Sequence, residues 1–175
     1  MKLAISGRRV ILQPLKNADS REIALQANGR LLAKFTSIPQ PYTAKAALDY
    51  IKQSRDEAKE GKRKDFGITL KKSGRVIGVF SIFGINKKAG KAEIGYWLGE
   101  SYWGRGLGTE AMELAVSYCF AQLSLVKIWA RVRRGNTASR RLLEKSGFSK
   151  ERKKPTKPKN TKGAPAICYS LSRPV

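Results

Sequence analysis

The sequence lacks histidine altogether and is short of acidic residues, with 13 aspartates and glutamates against 36 lysines and arginines. Without histidine the chain cannot build a Ser-His-Asp triad, a histidine general base or a histidine metal site. We therefore expect no metal, and any catalysis has to rest on other side chains.

Cysteine and long apolar runs are also scarce. Cys119 and Cys168 lie in apolar stretches, where buried free thiols are expected rather than disulfides. No apolar run approaches the roughly 18 residues that a membrane span needs, and the N-terminal residues lack the sustained apolar core of a signal peptide. These absences predict a cytoplasmic protein with no membrane association.

What the sequence does have is a globular composition and a strong positive charge. Its 175 residues are 41% hydrophobic, which predicts one folded domain over residues 1–175. The formal net charge is +23, and residues 150–162 contribute seven basic residues and one acidic residue. Such a field attracts polyanions, whether nucleic acid, acidic proteins or phosphorylated cofactors. A solvated basic surface without a dedicated partner is the alternative.

Hydrophobic periodicity and turn signals predict a strand, two helices, three strands, a helix, a strand, a helix and two strands. Thr43 is the predicted N-cap of the second helix, and Asp19 with Glu22 that of the first. The predicted strands cover residues 8–17, two arms of a hairpin within 65–85, 91–99, 125–133, 148–152 and 166–172. The predicted helices cover residues 19–28, 43–60, 109–122 and 136–147. This order predicts a mixed α/β sheet with helices on its faces.

Three glycines, Gly104, Gly106 and Gly108, punctuate the segment YWGRGLGTEAM between a predicted strand and a predicted helix. A glycine turn at the start of a helix leaves unpaired backbone N–H groups and the positive end of the helix dipole facing a ligand. Without Cβ atoms, the backbone can approach a phosphate closely. The segment therefore predicts an anion site with Arg105 in its middle, and a tight turn that binds nothing is the alternative.

The common nucleotide motifs do not fit this turn. A Walker loop requires Gly-Lys-Ser or Gly-Lys-Thr after four spacer residues, and the sequence has none. A dinucleotide fingerprint requires G-x-G-x-x-G, but Thr109 stands where its last glycine would be. It also requires an acidic residue about 20 positions further on, and none lies between Glu113 and Glu144. The site therefore suits a ligand with several negative charges and no opposing acid.

Two blocks of the sequence, AEIGYWLGESYWGRGLGTEAM and IWARVRRGNTASRRLLEKSGF, resemble the GNAT superfamily of N-acetyltransferases. Within it the chain is similar to the RimJ/RimL branch, which acetylates the N-termini of ribosomal proteins. The resemblance extends over nearly the whole chain and includes VILQPLKNAD, IPQPYTAKAALDYI and AICYSLSR. It implies a central, mixed, mostly antiparallel and twisted sheet of about six to seven strands, with helices on both faces and a splayed V between the two central strands.

The resemblance further implies acetyl-coenzyme A as the cofactor, with coenzyme A as a product. The pantetheine arm would lie in the splay, and backbone N–H groups of residues 105–109 would hold the pyrophosphate. Asn136 would bond the pantetheine amides or cap its own helix, while Arg141 and Lys145 would reach the adenosine phosphates or remain surface charges. The implied cofactor-binding residues are Trp97, Leu98, Trp103, Gly104, Arg105, Gly106, Leu107, Gly108, Thr109, Asn136, Arg141 and Lys145. Trp103 departs from the broader family, whose turn begins with glutamine or arginine, but agrees with the YWG version of the ribosomal-type branch.

The resemblance implies that an amine attacks the thioester directly, without an acyl-enzyme, which agrees with the lack of histidine. Many relatives carry a tyrosine at the position of Leu143 that protonates the departing thiolate, and leucine cannot do so. Ser139 occupies the place of a serine proposed for that task, and a solvated serine in the first turn of a helix is the alternative. Because a hydroxyl is a weaker acid than a phenol, we expect a hydrogen bond to the thiolate more than full proton transfer.

Glu93 is the candidate general base. On an alternating strand it shares a face with Gly95 and Trp97, and a carboxylate inside a central strand is costly unless it meets water or a cation. A substrate-facing base and a structural ion pair are both consistent with this position. An α-amine with a pKa of about 7.7–8.0 is partly neutral near pH 7, whereas a lysine amine with a pKa of about 10.4 is almost fully charged. A carboxylate base therefore favours an N-terminal amine as acceptor.

The acceptor follows from the resemblance and is a protein N-terminus, in particular that of a ribosomal protein. The +23 charge suits docking on a ribosome or on RNA. Aromatic candidates for the acceptor pocket are Phe35, Tyr42, Phe80 and Phe83, with core packing favoured for most of them. One alternative is acetylation of a small amine such as a polyamine or an aminoglycoside, and another is a basic RNA-binding module on a non-catalytic scaffold. The sequence is compatible with a monomer or a homodimer.

Overall fold

Within the residues that the computed structural model describes, 3–152 and 166–174, eight strands form one sheet. The strands are β1 (Ile5–Ser6), β2 (Val10–Pro14), β3 (Arg63–Leu70), β4 (Val76–Asn86), β5 (Lys91–Leu98), β6 (Lys127–Arg133), β7 (Ser149–Lys150) and β8 (Ala166–Ser172). The helices are α1 (Ser20–Ala27), α2 (Arg30–Phe35), α3 (Ala44–Lys59), α4 (Leu107–Ala121) and α5 (Thr137–Lys145). The order across the sheet is β1-β2-β3-β4-β5-β6-β8-β7. Most of the predicted basic loop, residues 153–162, lies outside the described residues.

Antiparallel pairing dominates the sheet, as predicted. Each strand from β1 to β4 pairs antiparallel with the next, and β8 pairs antiparallel with both β6 and β7. The pair of β5 with β6 is parallel. The sheet has one strand more than predicted, because Ile5–Ser6 adds a two-residue edge strand beside β2.

Helices cover both faces of the sheet, which confirms the predicted layers. On one face, Ala111, Met112 and Ala115 of α4 and Leu143 of α5 pack in one cluster with sheet residues such as Ile94. On the other face α1 and α3 pack against β4, and the buried members of this second cluster are Leu15, Ile23, Ala24, Ala47, Ile51, Val76 and Val79. Burying a large aliphatic side chain contributes roughly 1.5–3 kcal/mol, so these clusters hold the helices against the sheet.

The central strands β5 and β6 pair only at their first residues and then separate. Lys91–Glu93 pair with Lys127–Trp129, after which β5 continues beside β4 as far as Leu98 and β6 continues beside β8 as far as Arg133. The separation leaves the facing edges of both strands without a strand partner and opens a gap in the middle of the sheet. The predicted splay between the central strands is confirmed.

The ends of two helices show where local capping patterns succeed and fail. Thr43 caps α3 as predicted, since its hydroxyl oxygen accepts from the Ala46 N–H at 3.1 Å. Asp19 is the N-cap residue of α1, as predicted, but its side chain makes no cap bond to that helix. Its carboxylate instead accepts from the Lys16 N–H at 2.7 Å and closes the 3-10 turn before α1. Over the described residues, no helix combines the length and the apolar content that crossing a membrane requires.

Candidate active site

The gap between β5 and β6 continues into a cavity of about 790 Å³. Its walls come from β5, β6, the glycine turn before α4, α5, and the end of α2 with the residues that follow it. Arg105 and Leu107 are absent from its lining. The other predicted site residues all line it, namely Glu93, Trp97, Leu98, Trp103, Gly104, Gly106, Gly108, Thr109, Asn136, Ser139, Arg141 and Lys145.

The turn before α4 is shaped for close approach of a ligand to the backbone. Gly106 is the N-cap of α4 and has φ +72°, a left-handed conformation that side chains rarely adopt. A Cβ on Gly108 would lie 2.9 Å from Leu142 Cδ1 and 3.2 Å from Leu98 Cδ1, so a larger residue would force these side chains to move. The first N–H groups of α4 have no acceptor within the helix, and the helix dipole adds positive potential there. This donor set fits a pyrophosphate group.

Arg9 and Glu110 hold the glycine turn in place. Arg9 Nη1 donates to the Arg105 carbonyl at 2.8 Å, and Arg9 Nε donates to Glu110 Oε2 at 2.9 Å. Glu110 Oε1 also accepts from the Arg9 backbone N–H at 2.6 Å. Arg105 belongs to this scaffold through its carbonyl, and the Leu107 side chain is buried in the core.

Trp103 connects the end of β5 to the glycine turn. Its indole N–H donates to the Leu98 carbonyl at 2.8 Å, where β6 no longer pairs with β5. Glutamine and arginine, which the broader family has at this position, are donors as well. Trp103 therefore differs from the residues of the broader family but still supplies the hydrogen-bond donor that this position uses.

Glu93 forms a bidentate ion pair with Arg131, in which Nε–Oε1 and Nη2–Oε2 both measure 2.8 Å. Glu93 is 8% exposed, and burial raises the pKa of its carboxyl, an effect that the hydrogen bonds and charge of Arg131 only partly offset. The ion pair considered from the sequence is thus present. Glu93 nevertheless lines the cavity, and each carboxylate oxygen has a second lone pair that can accept from a water molecule or an amine.

Ser139 is paired with Tyr96, a residue to which the sequence gives no functional signal. The Tyr96 hydroxyl lies 2.8 Å from Ser139 Oγ, and the Tyr96 ring stacks on Phe80 with 5.8 Å between centroids. Burial raises the pKa of Tyr96 to about 12, so the phenol stays protonated at neutral pH. Leu143, which replaces the tyrosine of many relatives, is fully buried in the core. Tyr96 and Ser139 therefore form a pair of hydroxyls in the cavity wall, and Leu143 supplies none.

The two candidate catalytic side chains enter the cavity from opposite faces of the sheet. Even-numbered residues of β5, 92–98, pack on the face that α4 covers. Because side chains alternate along a strand, Glu93 lies on the other face, where Trp97 packs with α1 and α3. Ser139 lies on the α4 face, in contact with Tyr96. The cavity thus connects a carboxylate on one face with a pair of hydroxyls on the other.

Comparison with known proteins identifies the family of the chain. A family model described as an acetyltransferase (GNAT) domain matches residues 9–149. The chain belongs to the GNAT acetyltransferase family. The resemblance inferred from the sequence is confirmed.

Individual relatives agree with this assignment. The acetyltransferase is 32% identical to the uncharacterized N-acetyltransferase p20 of Bacillus licheniformis, over 82% of this chain and 80% of that protein. It is 28% identical to the spermidine N(1)-acetyltransferase of Escherichia coli strain K12, over 83% of this chain and 76% of that protein. Its fold matches that of Mycobacterium smegmatis RimJ, solved in complex with CoA-disulfide, with a TM-score of 0.85 and 24% identity over 98% of this chain and 88% of that one.

One wall of the acetyltransferase cavity comes from α2, an element that the sequence does not predict. The backbone N–H groups of Leu31 and Leu32 at its start donate to the Glu100 carboxylate at 2.5 and 2.8 Å. At its other end, Arg133 donates through Nη1 to the Lys34 carbonyl at 2.7 Å and through Nη2 to the Thr36 carbonyl at 3.0 Å. Side chains from β6 and from the turn after β5 therefore fix this wall.

The aromatic candidates for the acceptor pocket separate into one cavity residue and three that pack elsewhere. Phe35, at the end of α2, lines the cavity. Phe80 is in the core, and Tyr42 packs against the cluster of α1 and α3. The Phe83 ring lies against Gly95, 3.2 Å from where a Cβ would stand. Core packing is thus found for Phe80 and Tyr42, whereas Phe83 is half-buried and belongs to neither cluster.

Asn136 has a structural role in the acetyltransferase. Its side-chain oxygen accepts from the Ser139 N–H at 3.1 Å and caps α5. Asn136→Ala is expected to lower the free energy of unfolding by about 1 kcal/mol, because α5 loses its N-cap. Urea unfolding of both proteins measures this. Asn136→Asp keeps a capping oxygen and should retain the stability; an equal loss in both variants would show that capping is not the cause.

Proposed function

We propose that this acetyltransferase transfers the acetyl group of acetyl-coenzyme A directly to the α-amine of a protein N-terminus, with a ribosomal protein as the favoured acceptor. The observation that carries the proposal is the cavity at the splay, with Glu93 on one face and the Ser139–Tyr96 pair on the other. In a direct transfer the amine arrives on one side of the acyl carbon and the thiol leaves on another. A cavity with a proton acceptor and a hydroxyl donor on separate faces serves both events.

The chain offers suitable partners along the length of the cofactor. When bound, acetyl-coenzyme A would supply the activated acetyl group as a thioester. The free N–H groups at the start of α4 would hold its pyrophosphate. Arg141 and Lys145 are exposed one turn apart on α5 at the cavity wall, where they would hold the adenosine phosphates. The amide N–H groups of Asn136 remain free for the pantetheine arm once its oxygen caps α5.

Two groups would handle protons in the transfer. Glu93 would take the proton of the attacking amine, directly or through one water molecule, which is the role of a general base. Ser139 would donate a hydrogen bond at the position of the departing sulfur. Tyr96, still protonated at neutral pH because of its burial, holds the Ser139 hydroxyl at that place. No step in this scheme needs a covalent enzyme intermediate.

The choice of acceptor rests on proton affinity and charge. The α-amine, with a pKa of about 7.7–8.0, needs only a weak base, whereas a lysine amine with a pKa of about 10.4 needs a stronger one. The net charge of +23 supports docking at a ribosome, where ribosomal proteins and RNA lie together. A polyamine acceptor is the second candidate, because of the likeness to the spermidine N(1)-acetyltransferase.

Thiol release from acetyl-coenzyme A over a panel of acceptors tests the proposal. The panel contains peptides beginning with Ala, Ser or Met, an N-blocked peptide with a free lysine, spermidine, an aminoglycoside and purified ribosomal proteins. We expect release with a subset of the α-amine acceptors and none with the blocked peptide. Thiol release with spermidine and with no other acceptor would show that the enzyme is a polyamine acetyltransferase. If the protein binds acetyl-coenzyme A but none of the acceptors in the panel leads to thiol release, the result would support a non-catalytic binding module instead.

A further inference from the structure

The acceptor side of the cavity is positively charged, although it contains the candidate base. Buried residues 128, 130 and 132 of β6 pack on the α4 face, so Arg131 and Arg133 lie on the Glu93 face. All three charged residues line the cavity. One carboxylate and two guanidiniums give this side a net charge of −1 + 2 = +1. The ammonium of Lys34 adds to it from the rim, 5.6 Å from the ring centroid of Phe35.

The two carboxylates at this side, Glu93 and Glu100, already have hydrogen-bond partners among the described residues. Both oxygens of Glu93 accept from Arg131. Glu100 accepts from two backbone N–H groups at the start of α2 and is used there as a cap. Within residues 3–152 and 166–174, Glu93 is the only carboxylate in the cavity lining, and it is paired with Arg131. An acceptor with several positive charges would therefore meet net repulsion at this side of the cavity.

Arg133 has donors to spare for an anion. Its two bonds to the carbonyls of Lys34 and Thr36 use two of the five N–H groups of a guanidinium. Among residues 3–152 and 166–174 it forms no ion pair with a carboxylate. The two carbonyl bonds fix the guanidinium in the wall that also carries Phe35, so its remaining donors are held in place beside the acceptor path.

We infer that the acceptor is an acidic N-terminal segment, and that Arg133 recognises a carboxylate within its first few residues. The inference rests on the proposed function and narrows its substrate class. A guanidinium binds a carboxylate through charge-assisted hydrogen bonds, which are stronger and more directional than neutral ones. The positive charge of Arg133 also disfavours polyamines and lysine-rich N-termini. One residue therefore contributes both to binding acidic acceptors and to rejecting cationic ones.

The test compares three peptides that begin with Ser and continue with two glutamates, two glutamines or two lysines. For each, kcat/KM is measured by thiol release with the wild-type enzyme, Arg133→Gln and Arg134→Gln. Arg134 is the matched control, because it is exposed, lies next in the chain and is not in the cavity lining, yet its loss changes the net charge equally. Arg133→Lys keeps the positive charge but lacks the paired N–H donors of a guanidinium. This variant replaces Arg133→Gln in the test if Arg133→Gln is unstable.

The wild-type enzyme should prefer the glutamate peptide to the lysine peptide by roughly tenfold or more, the size of effect expected for one charge-assisted contact. Arg133→Gln should lower kcat/KM for the glutamate peptide to the kcat/KM of the glutamine peptide. Arg134→Gln should change the kcat/KM of either peptide by no more than about twofold. A wild-type preference for the lysine peptide, or an acidic preference that survives in Arg133→Gln, would overturn the inference alone. Thiol release with none of the three peptides, from enzyme that acetylates another α-amine acceptor of the panel, would overturn the inference and leave the proposed function standing.

Discussion

Replacing Gly106 with aspartate is expected to abolish the binding of acetyl-coenzyme A. Gly106 is the N-cap of α4 and lines the cavity, and a Cβ there would lie 3.1 Å from Arg9 Nη2. An aspartate would therefore disturb the arginine that holds the turn and would add a negative charge beside the N–H groups proposed to bind the pyrophosphate. Two like unit charges 4 Å apart repel by about 4 kcal/mol at an effective dielectric constant of about 20. That energy corresponds to a loss of affinity of about 1,000-fold. Titration calorimetry with coenzyme A measures the effect directly.

Gly74→Asp is the matched control for this substitution. Gly74 lies in the turn between β3 and β4 with φ +68°, close to the +72° of Gly106, and a Cβ there meets nothing within 4 Å. It is not in the cavity lining. The control therefore adds the same charge and a similar backbone strain away from the site, and it should bind coenzyme A normally. Unchanged affinity in Gly106→Asp would remove the glycine turn as the pyrophosphate site.

Features that depend on neighbours in the chain could be predicted from the sequence. The cap at Thr43 and the glycine turn at Gly106 are set by residues within a few positions of each other, so their signals are local. The alternation of β5 correctly separates Glu93 from the face that packs against α4. The layers of the fold follow from such local patterns, because each amphipathic element can bury its apolar side in few ways.

Features that depend on distant contacts left no local signal. The helix α2 is only six residues long, and its N-terminal N–H groups are satisfied by Glu100, 69 positions from Leu31. The Arg9–Glu110 pair that holds the glycine turn spans 101 positions. The Tyr96–Ser139 pair spans 43 positions. Apart from Ser139, which the family resemblance singles out, each partner alone reads as an ordinary surface or core residue. Only the folded sheet brings the two members of each pair together.

Replacing Glu93 with glutamine is expected to lower kcat by about 100-fold or more while leaving the affinity for acetyl-coenzyme A unchanged, because a general base contributes about 10²–10⁴ in rate. Stopped assays of thiol release and calorimetry with coenzyme A separate the two quantities. Asp65→Asn is the matched control. Asp65 is likewise 8% exposed and accepts from an arginine, Arg63 Nε at 2.7 Å, but it does not line the cavity. The Asp65→Asn variant should be less stable than the wild-type enzyme but should have the same kcat.

The pH dependence distinguishes a base from a purely structural ion pair at Glu93. Burial raises the pKa of this carboxyl, so a base that must be ionised should give kcat/KM an acidic limb above the ordinary carboxyl range of about 4.3. Stability moves the other way: a pKa raised by folding means that the contribution of Glu93 to stability is present at low pH and is lost as pH rises through the folded pKa. Loss of activity on acidification therefore cannot be attributed to local unfolding at this residue. If Glu93→Gln retains full kcat and the same acidic limb, Glu93 is an ion-pair partner of Arg131 and the base lies elsewhere.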